Sequence, residues 1–176
     1  MKQTFIKILS IITVVLTLGC EKQQPMTLQP SKVISIEQQD IPYFNHFDQM
    51  SNLLSHRDDT LRVINYWATW CKPCVQELPF FLALDKEFKD KGQKAKVILV
   101  SLDMTQKPLE NFIKRKNITT QVFWLDDPDA NYWVGKVNAQ WDGAIPVTQA
   151  INKNKSLFHS ADFSSLEEIK QFIQSN

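Results

Sequence analysis

The sequence is short of cysteine and of histidine, with three of each in 176 residues. A secreted scaffold stapled by disulfides would need more cysteines. A structural zinc site needs about four ligands, and His46, His56 and His159 are not paired at ligand spacing. No metal is therefore expected. A haem attachment motif requires histidine directly after the second cysteine of a C-x-x-C pair, and position 75 is valine. Excess charge is lacking as well. The formal net charge is +1, and without residues 1–19, which carry two lysines and no acid, it becomes −1. That balance offers no electrostatic basis for binding nucleic acid. Internal repeats and low-complexity tracts are also absent.

Long apolar runs are missing too. "ILSIITVVLTL", Ile8 to Leu18, has 11 residues, and a membrane-spanning helix needs about 20. Lys2 and Lys7 precede this run and small Gly19 follows it. A basic start, a short apolar middle and a small residue make an export signal. "TLGC" resembles the lipobox of bacterial lipoproteins, with Thr17 where that pattern usually has Leu. The resemblance implies that Cys20 becomes a lipidated N-terminus and holds the protein to a membrane. The expected organisation is a signal peptide over 1–19, a polar tether over 20–30 ("EKQQPMTLQP" with its two prolines) and one domain over 31–176. The expected location is the cell envelope, facing the periplasm or the exterior.

Within the domain, "KVISI" reads as a short first strand. Phe44, Phe47, Met50 and Leu54 recur at helical spacing and predict a helix. "LRVINYWA" (Leu61 to Ala68) suits a central strand buried on both faces. Val75, Leu78, Phe81, Leu82 and Phe88 then form a helical stripe closing near Gly92, with Pro79 inside it expected to kink the axis. "KVILVSL" and "QVFWL" are further strands, and Leu109, Phe112 and Ile113 mark a helix between them. Asp129 can cap a short helix through Val137. "PVTQAI" and "SLFHS" form a hairpin around "NKNK", and Leu166, Ile169, Phe172 and Ile173 give a last helix. Strands alternating with helices imply an α/β fold: a central mixed sheet with helices on both faces, after an N-terminal extension.

The two remaining cysteines, in "INYWATWCKPCVQELP", follow a buried strand and open a helix. In that context C-x-x-C reads as a redox pair rather than half a zinc site. Unpaired N–H groups and the dipole at a helix N-terminus stabilise an anion, so Cys71 can be a thiolate near neutral pH. Lys72 adds positive charge nearby. Cys74, one turn further in, should be more buried and would resolve a mixed disulfide formed by Cys71. Pro73 suits a helix start, where its missing N–H leaves nothing unsatisfied. The alternative is an inert disulfide, which would close a very small loop and stabilise little. Among the aromatics, Trp70 is expected to shield the site and Trp67 to pack in the core, while Trp141 is placed either against substrate or in the core. Asp126, Asp127 and Asp129 of "DDPDA" read as a solvated loop leading into a capped helix rather than as a cation site.

"NYWATWCKPCVQELP" resembles the active-site segment of the TlpA/ResA branch of the thioredoxin family, and "GAIPVT" resembles that family's cis-proline loop. The likeness in element order covers about residues 31 to the end. It implies a thioredoxin-like fold in which Pro146 is the cis proline facing the cysteines. The backbone of Ile145 would then pair with the substrate chain like an added strand, with Trp70 beside it. Asn65 stands six residues before Cys71, where thioredoxins usually carry a buried Asp that moves protons; Asn cannot titrate. Glu77, three residues after Cys74, matches a glutamate often present in the ResA-like branch. It shares a helix face with Cys74, and a partly desolvated carboxylate there could accept the Cys74 proton. A solvated surface glutamate is the other reading.

The resulting expectation is a lipid-anchored thiol–disulfide oxidoreductase whose only redox group is the Cys71/Cys74 pair, with no separate cofactor. Its partners would be disulfide-bearing exported proteins, apocytochrome c being one candidate, and a membrane electron donor. Three other functions stay open. The pair could work as an oxidase or isomerase. The chain could be a peroxidase, although peroxiredoxins place Thr or Ser three residues before the attacking cysteine and this chain has Ala68. It could also be a binding module without redox activity.

Overall fold

The structure, a computed structural model, describes residues 25–175. The expected export signal, Cys20 and the first part of the tether lie outside the described residues. Among those described, no helix is long and apolar enough to cross a membrane.

Strand β3 (Leu61–Trp67) is the centre of the fold. It pairs in parallel with β4 (Ala95–Ser101) and antiparallel with β6 (Val147–Ile151), so both its edges are satisfied. β5 (Gln121–Leu125) adds in parallel beyond β4, and β7 (Ser156–His159) adds antiparallel beyond β6. At the far edge, β2 (Gln39–Phe44) pairs in parallel with β5, and β1 (Lys32–Ile36) pairs antiparallel with β2. The order across the seven-stranded sheet is β1-β2-β5-β4-β3-β6-β7.

Alternation along β3 divides the interior into two layers. Val63 and Trp67 join the core formed with α2 (Lys72–Asp90), α3 (Gln106–Lys116) and α5 (Leu166–Gln174). Ile64 and Tyr66 face the opposite layer. There they meet Phe47, Met50, Leu53 of α1 (Asn52–Ser55), and Trp133 and Val137 of α4 (Ala130–Val137). The expected mixed sheet with helices on both faces is what the chain forms. Helix α2 is continuous through Pro79, whose ring nitrogen cannot donate to the Val75 carbonyl. It closes where expected: Gly92 takes φ +58, and Gly92 and Gln93 N–H groups return to the Lys89 and Phe88 carbonyls, a Schellman closure.

One expected element is absent. Phe44, Phe47, Met50 and Leu54 do not lie on one helix. Phe44 ends strand β2, Phe47–Gln49 is a single 3-10 turn, and α1 has four residues. The chain crosses the sheet face in short turns, and each turn brings about every third residue inward. That imitates helical periodicity, and it buries Leu53 fully rather than Leu54. Residues 25–30, expected to belong to the tether, run along the domain. Met26 and Leu28 pack on the second core layer, while Thr27 N–H donates to Asn52 Oδ1 (3.0 Å) and Gln29 N–H to the Gln49 carbonyl (2.9 Å).

Candidate redox site

β3 ends at Trp67, and the chain turns through Ala68, Thr69 and Trp70 into α2. The Cys71 N–H closes this turn on the Ala68 carbonyl at 3.1 Å. Cys71 is the N-cap of α2, with extended backbone (φ −83°, ψ 103°), and its Sγ accepts the Cys74 N–H at 3.3 Å. The sulfur takes the position usually held by a Ser or Asp oxygen and satisfies one otherwise unpaired N–H of the first turn, that of Cys74. Pro73 occupies that turn without depriving the helix of a donor. The two sulfurs form a disulfide. Cys71 keeps 5% of its surface exposed and Cys74 none, the order of accessibility expected of an attacking and a resolving thiol.

The second loop arrives from the start of β6. The Ile145–Pro146 peptide bond is cis, and the Ile145 carbonyl oxygen lies 3.7 Å from Cys71 Sγ. Residues 74 apart in sequence are thus in contact. Trp141 braces the loop: its ring packs against Tyr66 and Trp133, and its Nε1–H donates to the Ala144 carbonyl at 2.7 Å. Trp141 is therefore a core residue. Trp67 is fully buried and packs against Phe112, whereas Trp70 is 63% exposed and presents an open apolar surface next to Cys71. Lys72 is exposed.

Glu77 is not on the solvated surface. It is 1% exposed, and both carboxylate oxygens are held: Oε1 accepts Asn65 Nδ2–H at 2.8 Å and Oε2 accepts the Phe163 N–H at 2.8 Å. Burial pushes its pKa up from 4.5 to about 7. The hydrogen bonds from Phe163 and Asn65 pull the other way, and the carboxylates of Asp162 and Glu168 add to the rise. Asn65 also donates to Thr148 Oγ1 at 3.1 Å, and its own carbonyl oxygen is buried without a partner. Asn65 therefore orients the Glu77 carboxylate and, as an amide, does not itself titrate.

Three members of this arrangement escape sequence reasoning. Thr148 stands two residues after Pro146, so strand alternation places it on the same face, and that signal was available. The Phe163 N–H carries no side-chain signature at all. The third is Asp103, just beyond β4, which is 2% exposed and hydrogen-bonded to Thr69 of the redox turn. The acids of "DDPDA" each serve the local fold. Asp126 accepts from the Tyr43 hydroxyl, Asp127 from the Phe47 N–H, and Asp129 caps α4 through the Tyr132 N–H. Among the described residues no group of three or more His, Cys, Asp or Glu is placed to hold a metal ion.

Residues 38–160 match the model of the AhpC/TSA family. The thiol-disulfide oxidoreductase ResA of Oceanobacillus iheyensis is 37% identical over 75 residues, which is 43% of this chain and 38% of that protein. ResA of Geobacillus thermodenitrificans is 28% identical over 113 residues, 64% of this chain and 60% of that one. The matched stretch thus spans from 38% to 60% of these relatives' lengths. Among solved structures, a thiol:disulfide interchange protein of the thioredoxin family from Chlorobium tepidum TLS superposes with a TM-score of 0.55 at 17% identity, covering 87% of this chain and 97% of that one. At that identity the likeness bears on fold alone.

Proposed function

The chain belongs to the AhpC/TSA family and has a thioredoxin-like fold, and from that premise we propose that it is a thiol–disulfide oxidoreductase that reduces disulfides in exported proteins. The observation that carries this reading is the N-cap position of Cys71, whose sulfur accepts the Cys74 N–H in the first turn of α2, with Cys74 Sγ in bonding reach.

The reaction begins from the dithiol. The Cys71 thiolate attacks one sulfur of the substrate disulfide; the Cys71–substrate S–S bond forms, and the substrate's other sulfur leaves as a thiolate and takes up a proton. Exposed Trp70 and the Ile145 backbone hold the substrate chain beside the sulfur. Cys74 then loses its proton to the Glu77 carboxylate and attacks Cys71 Sγ. The mixed disulfide breaks, the second substrate thiol is released, and Cys71–Cys74 is left oxidised. Two electrons have passed from the pair to the substrate. A membrane electron donor restores the dithiol. Buried Glu77, with its pKa pushed up to about 7, suits the role of proton acceptor.

The same proposal places the domain in the cell envelope, facing the periplasm or exterior and tied to the membrane by lipid on Cys20. Apocytochrome c is one substrate class for such a reductase. The peroxidase reading finds less support, because Ala68 is buried and brings no hydroxyl to the position three residues before Cys71.

The direction of electron flow follows from the reduction potential, measured by equilibrating the protein with glutathione or dithiothreitol buffers. Related pairs span roughly −120 to −270 mV. A two-electron couple below about −200 mV is expected for a reductase. A value well above that would make the pair an oxidase or isomerase.

A further inference from the structure

The redox turn is held from outside by one acidic residue. Asp103 lies in the segment that leaves β4, beside the turn that leaves β3, and the Leu102 N–H ties the two together through the Trp67 carbonyl at 2.8 Å. The Asp103 carboxylate accepts the Thr69 N–H on both oxygens (3.2 and 3.1 Å), the Thr69 hydroxyl at 2.5 Å and the Ser101 hydroxyl at 2.8 Å. Its own backbone is fixed as well: its N–H donates to Ser101 Oγ at 3.1 Å, and its carbonyl accepts the Trp124 indole N–H at 2.5 Å. Every one of these partners is neutral. Among the described residues no lysine, arginine or histidine forms an ion pair with Asp103. The carboxylate is 2% exposed, so water screens it little.

We propose that Asp103 is the positioning residue of the redox pair, pinning the turn that presents Trp70 and Cys71 and setting a carboxylate against Thr69, two residues before the attacking sulfur. The inference rests on the oxidoreductase reading above and deepens it. Pinning follows from geometry. Thr69 precedes Trp70 and Cys71 directly, and three hydrogen-bond donors converge on one carboxylate to set its place. The charge acts in the opposite sense to the helix amides. The amides favour the Cys71 thiolate; the Asp103 charge disfavours it. Whatever disfavours the thiolate destabilises the reduced pair relative to the disulfide, and a less stable reduced form is a stronger reductant. Asp103 would thus keep the pair on the reducing side while the helix terminus keeps Cys71 reactive.

Asp103→Asn separates charge from geometry, because an amide oxygen can still accept from Thr69 while the charge is gone. At pH 7 the equilibrium of the variant against glutathione should shift toward the dithiol by about tenfold, a rise of about 30 mV for two electrons. The Cys71 thiol should titrate lower than in the wild type. A simple brace would weaken both redox forms alike, lowering the melting temperature and leaving the potential in place. An unchanged or lowered potential therefore overturns the proposal. If Asp103→Asn does not fold, Asp103→Ser removes the charge with a smaller side chain and carries the same expectation. A wild-type protein with no measurable couple would overturn the functional reading itself, and that result is visible before any Asp103 variant is made.

Discussion

Replacement of Cys71 by Ser is expected to lower insulin disulfide reduction by more than about a thousandfold, because among the described residues no other accessible thiol can replace the attacking thiolate. Cys74 is fully buried and cannot stand in for it. The complementary variant behaves differently. Cys74→Ala keeps the N-cap sulfur and its first-turn amides, so attack on a substrate proceeds. Resolution does not, and substrates stay covalently attached through Cys71. Mass spectrometry of the trapped adducts would then name the physiological substrates. The comparison also bears on the competing functions. A binding module keeps its cellular role in the Cys71→Ser variant, and a peroxidase consumes peroxide after Cys74 is lost. Either outcome would displace the reductase reading.

The second large effect is a dependence on pH that belongs to Glu77. Its carboxyl has a pKa of about 7 in the folded protein against 4.5 when solvated. Between those values the folded chain keeps a proton that the unfolded chain has released. Folding stability should therefore fall as pH rises from 4.5 through about 7, and level off above. The full difference is on the order of 3 kcal/mol. In Glu77→Gln that slope disappears. The amide has one acceptor oxygen where the carboxylate had two, so it cannot accept from both Asn65 and Phe163 as Glu77 does, which lowers stability by an amount independent of pH. The measurement is denaturant unfolding of wild type and variant from pH 4 to pH 8, on the oxidised proteins, in which neither cysteine titrates. Other carboxylates cancel in the difference. In turnover, Glu77→Gln should slow release of the mixed disulfide by about a hundredfold and leave the first attack by Cys71 unchanged. Parallel stability profiles, or equal loss in both steps, would remove Glu77 from the proton path.

What could be read from the sequence was local. The strand before the cysteines, the helix they open, the Gly92 closure and the proline before β6 each have their signal within a few residues. Cys71 and Cys74 needed only that context to be ordered as outer and inner thiols. The failures have physical causes. Strand β2 was hidden because its hairpin turn has no glycine or asparagine; Glu37 takes the left-handed conformation (φ +54°) instead. Pro42 is also an unfavourable residue for a strand interior, yet the ladder with β5 begins only at Tyr43, so its missing N–H is no obstacle there. The polar surroundings of the site were out of reach for another reason. Phe163 meets Glu77 across 86 residues and Asp103 meets Thr69 across 34. Contacts of that range follow from topology, which no local periodicity reports. Glu77 was assignable to the Cys74 face from helix geometry, but its near-complete burial depends on those distant partners.

All of these expectations depend on the sulfur at the mouth of α2 being an anion at working pH. Thiolate absorbance of the reduced protein, followed through a pH titration with Cys74→Ala isolating residue 71, measures this directly. A Cys71 pKa at or below about 7.5 is the predicted result, the range reached by thiols at helix N-termini. A value at or above about 8.5, the pKa of an ordinary free thiol, would contradict it.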